Sequence, residues 1–556
     1  MTVVQLADEF VDVLLDANPI EATLLGVRDR DELLPDFGED AEQEHRRRVE
    51  VVLERARAID TATLSSTDRV THAVVVQQAG AELDRLRTRA AEYTITDTFF
   101  APAVGMFSSL SMVGLVTQEH ADAYLARLAG VPAALEALAE RHREGMAAGR
   151  VPVRRLTEAT VDHFDRYLAD PQTDPLLMPQ PPADGSVDVD GFDTERSRLL
   201  DEVVRPAVAH YRDVLATEVL PHGRPDDRAG LHWLPDGDDF YTRLARVHTT
   251  TDRSPAELHQ TGLDVIAGLN AEYAEVGGRV FRTGELTEIL DRLRYDPSMR
   301  WKDGDELLEA ARAAIRRAEQ VAPRWFGTLP DQQCVVEAVP PAEARGVGAA
   351  YYMQPAIDGS RPGTYYANTY QAEKRDRFSS EAVAFHEAVP GHHFQLTLAL
   401  EQSELPLLRK IVDVTAYIEG WGLYSERLAD EMGLYSDDIA RLGMLSEDSL
   451  RASRLVVDTG LHAMGWSRQQ AVDFMLAHTA TSRIEIETEV DRYIAAPGQA
   501  LSYMTGRLEI QRIRAEAERA LGERFDIRAF HDVVLGNGLL PLNVLDDVVR
   551  AWVHGG

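Results

Sequence analysis

The stretch SSEAVAFHEAVPGHHFQLTLAL, residues 379–400, decides how the rest of the chain is read. It sets His386 and Glu387 side by side, then follows them with Pro390-Gly391 and the pair His392-His393. Imidazole and carboxylate are ligands for zinc, and a His-Glu pair on a helix puts a metal ligand next to a proton acceptor. In the familiar zinc-hydrolase helix the second His follows the first by four residues, one turn away on the same face. Here that position is Pro390, which cannot ligate. His392 lies about 9 Å along an ideal helix from His386 and about 240° round it, and His393 lies about 10.5 Å away. Neither meets His386 on a straight helix, so the segment must deform. Pro390 removes a helix N–H and clashes with the preceding turn, while Gly391 accepts unusual dihedrals. A bulge is therefore expected there, returning His392 beside His386, with His393 as the alternative ligand.

A third ligand is expected on a later helix. DVTAYIEGWGLYSERLADEMG (413–433) offers Glu419 and Glu426, seven residues apart and so on one face. That helix also carries Ala416, Ile418, Leu423 and Leu428, so its carboxylates are expected to be partly buried. A buried carboxylate needs a partner, and a metal or a ligating His is a suitable one. Glu419 is the candidate ligand. Glu426 is the candidate for orienting a ligating His, with an ordinary salt-bridged helix residue as the other reading.

Outward from this motif, most of the chain reads as helix. AEQEHRRRVEVVLERARAID (41–60) and HADAYLARLAGVPAALEALAERHREGMAAG (120–149) combine helix formers with apolar residues at three- and four-residue spacing. Ser254, Pro255 and Glu257 make a helix start. Proline-rich connections are expected at 168–193 and 220–237. The texture changes at 334–371, where CVVEAV, AAYYMQ and GTYYANTY are short β-like runs separated by turns such as DGSRPG. A small sheet in an otherwise helical protein follows.

Composition excludes several classes. The 556 residues carry 58 Lys plus Arg against 92 Asp plus Glu, a net charge of −34, which argues against nucleic-acid and anionic-membrane partners. Hydrophobic residues make up 44 %, enough for a sizeable core. The single cysteine, Cys334, excludes an intrachain disulfide and any multi-cysteine metal site. Asp8, Glu9, Asp12 and Asp16 interrupt the N-terminal apolar pattern, which reads as an amphipathic helix and not as a signal peptide. No run approaches 18 apolar residues, and a cytoplasmic location is expected.

HEAVPGHHFQ, EGWGLYSERLADEMG, RLVVDTGLHAMGWSRQQA and PGQALSYMTGRLEI resemble the signature blocks of the bacterial family catalogued as domain of unknown function 885. HTTTDRSPAELHQTG and FHDVVLGNGLLPL also resemble it, so the likeness spans most of the chain. That family is in turn similar to zinc metallopeptidases of the thimet-oligopeptidase type. The resemblance implies a mainly α, two-lobed helical fold with a deep cleft and a small β-sheet on the cleft wall. It implies a helical N-terminal lobe over 1–330 and a catalytic lobe over 331–556, within one continuous fold. It implies one zinc ion on His386, His392 and Glu419, with Glu387 as general base. Gly391-His392 matches the Gly-His pair of the peptidases only if two residues are inserted before it. Glu419 follows His392 by 27 residues, similar to the family's spacing.

Three further readings complete the expected site. GTYYANTY (363–370), with Tyr366 and Asn368, reads as an edge strand able to pair with an extended peptide. Tyr503 resembles the late tyrosine that donates to the oxyanion in zinc peptidases. Arg492 is a candidate for a substrate carboxylate, with pairing to Glu489 as the competing role. The expected activity is zinc-dependent hydrolysis of peptide or amide bonds in small peptides. The alternatives are a silent, metal-free binding protein that kept the cleft, and an amidase acting on a small non-peptide metabolite.

Overall fold

In a computed structural model of the chain, residues 2–340, 344, 348–357, 359 and 361–555 are described. Helices succeed one another from Val3–Ala17 to Leu542–Val553, as the apolar spacing predicts. The two helices read most directly from sequence run over Glu39–Arg57 and Gln118–Ala147. Ser254 caps the Pro255–Val280 helix through a reciprocal exchange with Glu257, and Pro255 occupies its first turn. The proline-rich 168–193 connection contains only two short 3-10 turns before a new helix starts at Val189. No helix among the described residues is long and apolar enough to cross a membrane.

The sheet has three strands: β1 (Val335–Ala338), β2 (Ala350–Met353) and β3 (Thr364–Ala367). Their spatial order is β1-β3-β2, with β3 parallel to β1 and antiparallel to β2. The central position of β3 corrects the expectation that GTYYANTY is an edge strand. Both of its edges are already used, so it has no free ladder to offer a peptide. Strand order is set by tertiary packing, which short β-like runs do not encode. Of the expected DGSRPG turn, Asp358 and Ser360 lie outside the described residues.

One apolar core crosses residue 330. It joins Leu6, Phe10, Val52 and Val74 to Ile315, Phe385, Trp421, Phe530 and Leu545. A second core, built around Phe107, Tyr124, Phe164 and Tyr211, lies wholly in the first half of the chain. Two close helix pairs frame the central region. The Thr415–Glu431 helix meets Ser502–Leu521 where Gly420 faces Gly506, and a Cβ on Gly420 would stand 2.5 Å from the Gly506 backbone. The Pro255–Val280 helix meets Asp438–Ala463 where Gly262 lies against Val456.

Candidate metal centre

The His-Glu helix does not bulge at Pro390-Gly391; it ends. One helix covers Ser380–Glu387 and another starts afresh at His392 and runs to Glu401. Ala388 and Gly391 carry the turn between them, and the Val389-Pro390 peptide is cis. Gly391 lies so close beneath His386 that a Cβ there would stand 1.8 Å from the His386 carbonyl oxygen. The turn is tied from the other side by the buried Trp421 indole, whose Nε1 donates to Pro390 O at 3.0 Å. The deformation foreseen in the sequence is thus a break and restart, spanned by His393 N donating to Ala388 O at 3.1 Å, which sets the two imidazoles face to edge. Their ring centroids are 4.7 Å apart at 88°.

Glu419, on the Thr415–Glu431 helix, points between them. Its Oε2 lies 3.3 Å from His386 Nε2 and 3.5 Å from His392 Nε2. One ligand atom from each of His386, His392 and Glu419 falls within 4.8 Å of the others. Seven residues on, Glu426 takes the opposite nitrogen: its Oε1 is 2.8 Å from His386 Nδ1. An ionised carboxylate only accepts, so this bond puts the ring proton on Nδ1 and leaves the Nε2 lone pair facing Glu419. A lone pair aimed at a carboxylate oxygen requires a cation between them or a proton on the ring. Burial opposes charge on His386, but hydrogen bonds donated by its ring to Glu419 and Glu426 outweigh it and raise its pKa to about 10. Two imidazoles and one carboxylate converging on a point that demands positive charge fit zinc. Gly422 clears the space, since a Cβ there would stand 2.6 Å from His386 Nε2.

Glu387 follows the first of these histidines and is half-buried, with no hydrogen bond or ion pair to any described residue. Burial pushes its carboxyl pKa up, only partly opposed by the His392 and His386 rings. Glu419 remains about 20 % exposed, so the group is reached from solvent.

His393 is not placed as a ligand. It turns away toward the sheet, with Nδ1 3.0 Å from Tyr352 Oη and Nε2 2.8 Å from Gln332 O. Both of its nitrogens are committed, which corrects its standing as alternative ligand. Asn368 is fully buried, and its Nδ2 donates to Ala344 O and Gly348 O at 2.8 and 3.0 Å. It fastens a loop and does not face a substrate. Tyr366 stacks on Tyr351 at 5.0 Å across the β2–β3 ladder.

Tyr503 lies beside His386, with the rings 6.4 Å apart and 27° from parallel. Its hydroxyl accepts from Arg492 Nη2 at 3.2 Å. Arg492 also donates to Gln499 at 2.7 Å and pairs with Glu489 at 3.4 Å, as the Glu489 reading expected. Arg454, which the sequence reading did not single out, places its guanidinium 4.5 Å from the Tyr503 ring centre. Arg451, one turn earlier, stands 4.0 Å from Glu426. Both belong to the RASR run of the Asp438–Ala463 helix, and two arginines at i and i+3 among apolar neighbours were the available signal. Cys334, at the start of the sheet, lies near enough for Glu387 to contribute to its raised pKa, although burial dominates.

A second cluster, Glu39, Glu92 and Glu144, also brings three carboxylates together. Arginines account for it: Arg89 pairs with Glu39 at 2.7 Å and Arg150 with Glu92 at 2.5 Å.

Residues 19–549 match the family described as "Bacterial protein of unknown function (DUF885)". Two solved structures are similar over their whole length. One, described as a "putative lipoprotein" from Colwellia psychrerythraea, superposes with a TM-score of 0.92 at 26 % identity, covering 100 % of both chains. The other, described as a "putative lipoprotein of unknown function" from Shewanella oneidensis, gives 0.77 at 19 % identity, covering 99 % of this chain and 100 % of its own. No curated protein matches.

Proposed function

The chain belongs to this family of bacterial proteins of unknown function, and within it we propose a zinc-dependent hydrolase that cleaves peptide or amide bonds of small substrates. The observation that carries the reading is the convergence of His386, His392 and Glu419 within 4.8 Å, with the half-buried Glu387 next to the first of them. A likeness to thimet-oligopeptidase-type metallopeptidases, with a substrate cleft over this group, is part of the proposal. So is a cytoplasmic location, against the alternative raised by the word lipoprotein in the two similar structures.

His386, His392 and Glu419 would hold the metal, and Glu426 would keep His386 in the ligating tautomer. Zinc supplies, when bound, a Lewis acid that polarises the scissile carbonyl and acidifies water. Glu387 takes a proton from the attacking water at its carboxylate oxygen as the new C–O bond forms. It then hands that proton to the departing amine nitrogen as the C–N bond breaks. Burial supports this role, because it raises the affinity of Glu387 for a proton. The Tyr503 oxygen accepts from Arg492, which leaves its own O–H free to donate to the developing oxyanion.

Glu387→Gln is expected to retain one zinc per chain and to lose at least about 10³-fold in turnover, the scale of a lost general base. Elemental analysis together with a short-peptide and N-acyl amino acid screen checks it. Wild-type turnover in the variant would remove Glu387 from the role. A folded, metal-free wild-type protein would favour the silent binding protein.

A further inference from the structure

Resting on the hydrolase reading, we propose that Arg492, backed by Arg454, forms a subsite for a free carboxylate on the substrate, next to an apolar side chain. Two guanidiniums, Arg454 and Arg492, share one carboxylate, Glu489, at 2.8 and 3.4 Å. Tyr493 also donates to Glu489, at 2.5 Å, so that carboxylate is fully used. The other acid felt by Arg492, Asp458, is engaged by the Tyr241 hydroxyl and the Gly498 amide. Hydrogen bonds from neutral donors leave the charge of Asp458 in place, so the imbalance lies within the ion-paired group itself, where two guanidiniums share the single carboxylate of Glu489.

The second observation concerns Arg454. It is only 4 % exposed, yet its Nη1 has no hydrogen-bond partner. A buried guanidinium N–H without an acceptor is costly, and an anion arriving beside it relieves that cost. Arg492 is the member a ligand can reach, with about 22 % of its side chain exposed.

Position links this cluster to the metal centre. Tyr503 separates the two, with its ring 6.4 Å from the His386 ring and 6.0 Å from the Arg492 guanidinium carbon. The guanidinium is therefore within about 12 Å of His386, a reach of at most three or so extended residues. A carboxylate there belongs to the end of a substrate, one to three residues from the cleaved bond.

The N-terminal half supplies the apolar part. The Phe100 ring lies 5.9 Å from the same guanidinium, and Phe99, 65 % exposed, lies 4.3 Å from Phe100. A half-buried Phe100 beside the carboxylate-binding arginine, continued by the exposed Phe99, suits a terminal residue with an apolar side chain. Both a peptide carboxy terminus and an N-acyl amino acid present this chemistry.

The test is calorimetric binding to zinc-loaded Glu387→Gln protein. The probes are N-acetyl-Ala-Ala-Phe and N-acetyl-Phe, each as free acid and as carboxamide. The expected result is at least tenfold tighter binding of the acid in one pair, reduced to within twofold by adding Arg492→Met, with zinc content unchanged. The pair that shows the preference tells a peptide end from an acyl amino acid. Equal affinity for acid and amide in both pairs, no binding of either pair, or a preference that survives Arg492→Met would each overturn the proposal. The acid–amide comparison on the parent decides even if the double variant fails to fold. An acid preference in a wild-type protein that hydrolyses nothing would sink the hydrolase reading alone. Equal hydrolysis of acid and amide would sink the subsite alone.

Discussion

His386 is held at both nitrogens, by Glu419 on one side and Glu426 on the other. The two glutamates perform different work because they sit two helical turns apart on one face. Glu426→Gln keeps the shape but weakens the acceptor that fixes the tautomer, so zinc affinity is expected to fall by about 10–100-fold. A competitive chelator titration measures it, and an unchanged affinity would make Glu426 a bystander. At this scale the sequence was informative about residue type and spacing. His386, His392, Glu419 and Glu426 were named from it, and all four come together. It was uninformative about direction. His393 is adjacent to a candidate ligand, yet its ring faces Tyr352, because one residue on a helix turns the side chain by about 100°. Asn368 looked like a ligand-facing polar residue and proves to be a loop fastener, since burial cannot be read from polarity.

At the scale of elements, the turn between Glu387 and His392 brings the two histidines together. Its closure depends on Gly391, which has no room for a side chain over His386 O. Gly391→Ala is expected to displace His392 and lower zinc affinity by more than about 100-fold, while global stability falls by roughly 2–4 kcal/mol. Chelator titration and denaturant unfolding measure the two effects. Retained zinc affinity would show that the turn tolerates a shifted backbone. The sequence pointed to Pro390-Gly391 as the place of deformation but not to its form, because a bulge and a break use the same two residues. The role of Trp421 was hidden for a related reason. Its indole reaches back 31 positions to Pro390 O, a contact that no local periodicity reports. The order of the strands was likewise invisible, and the edge-strand reading of Thr364–Ala367 failed with it.

For the molecule as a whole, the helical class was legible from spacing and capping, while the mixing of early and late segments in one core was not. Buried histidines give that whole a pH signature. His142, His462 and His531 are buried, and burial lowers their pKa values to about 4, 3 and 3. An unfolded histidine titrates near about 6.5. Between these values the unfolded chain binds protons that the folded chain does not, so stability is complete above about pH 6.5 and falls on acidification. His248 and His393, lowered to about 3 and 4, add to these three, while Asp376 and Asp458, raised by burial to about 7, keep protons that the unfolded chain has lost and work against them. The balance of five histidines against two aspartates is a slope of roughly 4 kcal/mol per pH unit near pH 5, in the direction of acid unfolding. His386, whose pKa is raised to about 10, works in the opposite sense only above about pH 6.5, where the unfolded imidazole loses a proton that the folded one keeps. Urea titrations between pH 7.5 and 5 should show the midpoint falling, and a flat or rising midpoint would contradict it. The shared core has a consequence for synthesis as well. Phe10 and Val52 pack with Phe530 and Leu545, and Arg409 bridges Thr71 Oγ1 and Asn537 O. A ribosome adding about 5–20 residues per second makes the first of these segments roughly half a minute to two minutes before the last. Through that interval the leading helices have their apolar faces but not their partners, so this core can close only after the Leu542–Val553 helix has been made.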